Sequence, residues 1–99
     1  MEIKVDEVYS FKLNSGEELI AKVKSVDKDV ILVEEPVSVA PNHQGMGLVP
    51  SLFTAEPRGL ARLNTYSIAI VANTEDNVKM KYLEATTGIK VPSKKIVLG

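Results

Sequence analysis

Phe11-Lys12-Leu13, the turn Asn14-Ser15-Gly16, the run Glu17 to Val26, the turn Asp27-Lys28-Asp29 and the run Val30 to Val39 decide the fold of this chain. Three apolar-rich segments are set apart by two short links rich in Asn, Gly and Asp, which is the pattern of an antiparallel meander. Tyr9, Phe11 and Leu13 share one face of the first segment, and Leu19, Ala21 and Val23 keep that alternation in the second. Val26 breaks it. A parity slip inside a strand predicts a bulge or sharp bend, and such bends let a short sheet curl into a barrel.

Working outward, Val30 to Val33 is apolar on both faces and predicts a central strand. Glu34-Glu35-Pro36 interrupts it. Proline cannot donate to a ladder, so Val37 to Ala40 is expected to pair differently from the first half or to lie at an edge. Ile3, Val5 and Val8 alternate with charged residues, as in an entry strand or an ordered arm. Residues 41–61 hold three of the five prolines and three of the six glycines, and read as a long inserted loop. Leu48, Val49, Leu52 and Phe53 make it apolar enough to act as a contact arm. Arg62 to Ala72 reads as one further strand.

Residues 75–87 predict a short helix. Thr74 stands as N-cap, Glu75 and Asp76 in the first turn, Val78, Tyr82, Ala85 and Ile89 on one face, and Gly88 at the stop. A strand with Val78, Met80 and Tyr82 inward competes with it. Ile96 to Leu98, behind Lys94 and Lys95, suits a short closing strand.

Composition narrows the function. A chain of 99 residues with 44% apolar and 25% charged residues builds one modest core, so a single domain over 1–99 is expected. The absence of cysteine excludes a disulfide framework, a thiolate nucleophile and a Cys-based zinc site. The single His43 builds no multi-histidine metal site and has no triad partner at suitable spacing. Glu34 and Glu35, adjacent in a strand, point to opposite faces and form no acid pair. Gly45-x-Gly47 is too short to cradle a phosphate. An enzyme is therefore not expected, and neither is a cofactor or metal. No apolar run spans a bilayer and Met1-Glu2-Ile3-Lys4 is unlike a signal peptide, so no membrane partner and a cytoplasmic location are expected. Net charge is -1. Residues 1–50 carry five Lys against nine acids, whereas residues 51–99 carry seven Lys or Arg against four, so a fold that gathers the second half on one face presents a basic surface, the alternative being solvated charges spread around a small domain.

The pattern Phe11-x-Leu13-x-x-Gly16-x-x-Leu19-x-Ala21-x-Val23-x-x-Val26-Asp27, followed by Val30 to Val33 and Glu34-Glu35, resembles the first motif of the Sm and Sm-like proteins. With the loop 41–61 and the ending from Tyr82 to Ile89, the chain is most similar to the group of these encoded by marine phages. The resemblance implies a mainly β fold, a small, strongly bent, five-stranded antiparallel Sm-like (SH3-like) barrel. It implies a homo-oligomeric ring of about five to seven subunits, closed by pairing of strands four and five across copies. It also implies binding of single-stranded RNA, rich in uridine or adenine, around the pore and inside the infected host cell.

The departures fall on the binding pocket. Asp29 replaces the usual stacking residue, Val30 or Ile31 stands in place of the base-reading asparagine, and residues 73–88 occupy the place expected for the second motif. The candidate RNA contacts are accordingly Asp27, Lys28, Asn73, Arg58 and Arg62. The alternative is a structural or assembly module that reuses the ring without RNA and contacts another protein through residues 41–61.

Overall fold

The computed structural model describes residues 2–56 and 58–88. Strand β1 is Val8–Leu13, β2 Glu18–Val26 and β3 Val30–Asn42; β4 is Gly45–Pro50, β5 Leu60–Asn64 and β6 Ile68–Asn73. A 3-10 turn, Thr65–Ser67, joins β5 to β6, and helix α1 spans Asp76–Thr87. All pairings are antiparallel, in the order β4-β3-β2-β1-β6, with β5 also paired to β3. The domain is mainly β, as expected. It has six strands rather than five.

The sixth comes from the expected loop. Residues 41–61 are not one long connection: β3 runs on to Asn42, turns through His43-Gln44, and returns as β4. Asn42 accepts the Gln44 N–H at 2.8 Å through its side chain, and Gly45 supplies a φ of +118°. Pro41 is tolerated because β3 has no β2 partner beyond Ser38, and Pro50 because β4 pairs with β3 alone and leaves its outer edge unbonded among the described residues.

The bend predicted in β2 and the interruption expected at Glu34-Glu35-Pro36 both appear as register shifts in the β2–β3 ladder. Val23 pairs with Val33 but Ser25 with Leu32, which inserts an extra residue in β2. Ile20 pairs with Val37 but Lys22 with Glu34, which inserts one in β3 at Glu35-Pro36. Glu35 takes a left-handed φ of +52° there. The two halves of β3 do pair differently: residues 30–34 meet β5 and residues 37–42 meet β4.

Arg62 to Ala72 is likewise not one strand. Thr65–Ser67 breaks it into β5 and β6, and alternation resets across the turn. Ala61 and Leu63 face the core from β5, and Ile68 and Val71 from β6, while Ala69 and Ile70 are exposed. Tyr9, Phe11, Leu19, Ala21, Val23, Ile31 and Val33 fill the centre of that core, so the sheet curls around it. Phe11 has no exposed surface; its burial alone favours folding by roughly 2–3 kcal/mol.

Helix α1 covers the opposite face. Val78, Tyr82 and Leu83 pack against Val8, Ile20, Val37, Val39 and Leu48. Ala85, expected on this stripe, is exposed. The helix N-cap is Glu75, not Thr74: the Glu75 carboxylate accepts the Val78 N–H at 3.1 Å. Thr74 is buried instead, its hydroxyl 2.9 Å from that of Ser10. Gly88 ends the helix as expected, with φ +73° and its N–H donating to the Glu84 carbonyl. The rest of the predicted stripe, Ile89, and the closing strand Ile96 to Leu98 lie outside the described residues.

The N-terminal arm precedes β1 and extends its ladder. Asp6 N–H donates to the Val23 carbonyl and Val23 N–H to the Glu7 carbonyl, while Lys4 N–H donates to the Tyr9 hydroxyl at 2.8 Å. No described helix is long and apolar enough to cross a membrane.

Candidate functional site

Three turns converge at one end of the curled sheet. They are the β1–β2 turn at Asn14-Ser15-Gly16, the β2–β3 turn at Asp27-Lys28-Asp29 and the β5–β6 turn at Thr65-Tyr66-Ser67. The first needs Gly16 because its φ is +97°, a region most side chains avoid. The second is organised by Asp27, whose carboxylate accepts the Lys28 N–H at 2.8 Å while its own N–H donates to the Val30 carbonyl.

The third turn is bonded to both others. Asn14 donates through its backbone N–H to the Ser67 carbonyl and through its side-chain amide to the Tyr66 carbonyl, each at 2.7 Å. Thr65 donates its N–H to the Asp29 carbonyl at 3.0 Å and its hydroxyl to the Lys28 carbonyl at 3.2 Å. The Tyr66 hydroxyl donates to Asp29 Oδ1 at 3.0 Å. Tyr66 is nevertheless 76% exposed, whereas Tyr9 and Tyr82 are buried. It is an aromatic surface held in place at both ends and open to solvent.

Of the candidates read from sequence, Asp27 and Lys28 sit in this cluster. Arg62 is exposed in the middle of β5, opposite Leu32 of β3. Arg58 lies beyond the other end of β5, with φ +65°, near Glu35 and the bulge. Asn73 ends β6 opposite Tyr9, at the far end of that strand from Ile68, and faces the groove beside α1. The structure therefore brings two of the five together. The β5–β6 connection is Thr65–Ser67 rather than residues 73–88, which form the end of β6 and α1.

Tyr66 and Asn14 were not legible as site residues. Tyr66 falls inside a run that reads as continuous strand. The available signal was the parity break between Leu63 and Ile68, both of which face the core.

A second surface lies on the other side of the domain. The β3–β4 hairpin and α1 enclose an open groove of about 590 Å³, floored by Ile20, Val39, Leu48 and Val78. Beside it, Met46 is 71% exposed, and beyond β4 Leu52 is 55% and Phe53 80% exposed. No group of three or more described His, Asp or Glu residues is arranged to hold a metal ion.

The described residues define a small antiparallel β domain of six strands with one covering helix. No protein-family model and no curated protein matches the sequence.

Proposed function

We propose that this chain is an Sm-like, ring-forming protein that binds single-stranded RNA at the end where the three turns meet. The observation that carries the reading is the solvent-facing Tyr66 ring fastened to the Asp27–Asp29 turn next to Lys28. Unpaired bases are recognised by stacking on such rings and by hydrogen bonds to their edges. The Sm-like assignment is supported by the strand order β6-β1-β2-β3-β5, by the two bulges and by the shared core that β5 and β6 close on.

The ring is supported by the edges. Among the described residues β5 pairs with β3 alone and β6 with β1 alone, so each leaves one side for a neighbouring copy. Ring closure would repeat Lys28 and Arg62 in every subunit and add their charges around a common axis. As proposed, the protein is a binder rather than a catalyst. A phage origin and action in the cytoplasm of the infected cell belong to the same proposal.

The test is the assembled mass by light scattering, together with anisotropy titration of labelled oligo(U) and oligo(A) from low to high salt. A multiple of 10.8 kDa and an affinity that falls with salt are expected. A monomer that binds neither oligonucleotide at low salt overturns the proposal.

A second reading is favoured by Met46, Leu52 and Phe53, whose exposure on and after β4 suits a protein contact. In that reading the assembly carries a protein partner through residues 41–61 and no RNA. Capture of a partner that survives ribonuclease and is lost in Phe53→Ser, from a protein that binds neither oligonucleotide, distinguishes it from the first.

A further inference from the structure

The base that the Tyr66 platform accepts is set by its neighbour, and we infer that this neighbour, Asp29, selects guanine. The inference rests on the RNA-binding reading above and deepens it. The Asp29 carboxylate is 3.0 Å from the Tyr66 hydroxyl, so it lies just past the edge of the ring, where a stacked base directs its own edge. An ionised carboxylate has acceptors only. Oδ1 receives the Tyr66 hydroxyl, and among the described residues Oδ2 receives no hydrogen bond. Asp27 is not an equivalent reader, since its carboxylate bonds the Lys28 N–H of its own turn at 2.8 Å and, among the described residues, not the Tyr66 hydroxyl.

Guanine alone among the four bases carries two adjacent donors on its Watson–Crick edge, N1–H and the N2 amino group. Both meet a carboxylate without leaving an acceptor facing it. Uracil offers one donor between two carbonyls. Adenine and cytosine each set a ring-nitrogen acceptor beside the amino donor, which turns a lone pair toward Oδ2. The wrong base is therefore penalised as well as unrewarded.

The local charge agrees with reading of a base edge rather than attraction of phosphates. Asp27 and Asp29 outnumber Lys28 in the turn, and Asn14, Ser15, Thr65 and Ser67 around it are uncharged. Discrimination at this site is accordingly expected to survive salt better than overall affinity does.

The experiment titrates the full chain with labelled hexaribonucleotides: all-uridine, all-adenine, uridine with one central guanosine, and uridine with one central inosine, which lacks the N2 amino group. The guanosine oligomer is expected to bind about tenfold tighter than all-uridine, and inosine to lose most of that gain. Asp29→Asn, which offers a donor as well as an acceptor, is expected to bind all four alike. Quenching of tyrosine fluorescence on binding, absent in Tyr66→Leu, reports the stacking. Binding of all four oligomers to the wild-type protein with equal affinity overturns the guanine inference and leaves the RNA reading intact. Absence of binding by any of them overturns both.

Discussion

The hydroxyl of Tyr82, on helix α1, donates to the carbonyl of Glu34 in β3 at 2.8 Å and accepts the Lys22 N–H of β2 at 3.1 Å. Lys22 and Glu34 are the last paired residues before the Glu35-Pro36 bulge opens the ladder. A side chain from the helix thus repairs the sheet where an extra residue and a proline weaken it. Tyr82 is 1% exposed, so water does not supply the same bonds.

Tyr82→Phe is expected to destabilise the domain by about 1–3 kcal/mol, because the ring still fills its site while a buried donor and acceptor lose their partner. Tyr82→Ala adds a cavity and is expected to cost about 3–5 kcal/mol. Urea unfolding followed by circular dichroism checks both. Equal stability of Tyr82→Phe and the wild type would show that the hydroxyl bridge contributes nothing net.

Alkaline pH acts on the same group. Burial, with added repulsion from Glu35 and Glu34, raises the Tyr82 phenol well above its ordinary value of 10.0, against a smaller lowering by the Lys22 N–H. Below about pH 10 the phenol is neutral in folded and unfolded chains alike, and its contribution is complete. Above that value the unfolded chain releases the proton while the folded chain retains it. Stability therefore falls as pH rises from about 10, by at most about 1.4 kcal/mol per unit from this group. Urea midpoints between about pH 8 and 11 are expected to decline more steeply in wild type than in Tyr82→Phe.

Glu35 holds a left-handed φ of +52° at the bulge. Glycine adopts that conformation without the steric cost a side chain carries, though it also gains freedom in the unfolded chain. Glu35→Gly is expected to be stabilising by about 0.5–1 kcal/mol, read as a higher melting temperature. A lower one would show that the Glu35 side chain is itself a needed contact.

At the proposed RNA surface, Tyr66→Ala is expected to weaken oligonucleotide binding about tenfold or more through lost stacking, with little change in melting temperature. Lys28→Ala is expected to weaken all sequences alike and to flatten the salt dependence. Anisotropy titrations at two salt concentrations separate the two effects.

The central sheet was readable from the sequence because its signals are local. Tyr9, Phe11 and Leu13, and then Leu19, Ala21 and Val23, line the core as their alternation implies, and Pro36 divides β3 where it stands. The β3–β4 hairpin was hidden by Pro41, Gly45, Gly47 and Pro50, which mark loops in isolation but are accommodated in a strand bonded on one side. The β5–β6 turn was hidden for the opposite reason. Thr65, Tyr66 and Ser67 contain no glycine or proline, and their conformation is fixed by bonds to Asp29, Lys28 and Asn14. Tyr66 became visible only once those distant partners were in place. Thr74 suits a cap by residue type, whereas its burial against Ser10 leaves the role to Glu75.

Strand β3 divides its duties at the bulge, giving residues 30–34 to β5 and residues 37–42 to β4. The inner core belongs to the first of these, and the hairpin beyond Pro36 contributes none of its buried members. Its base is bound to the helix instead, since Val37, Val39 and Leu48 pack against α1, so only the tip around Asn42–Gly45 can drift in length and decoration, or be redesigned, while the curled body keeps its shape.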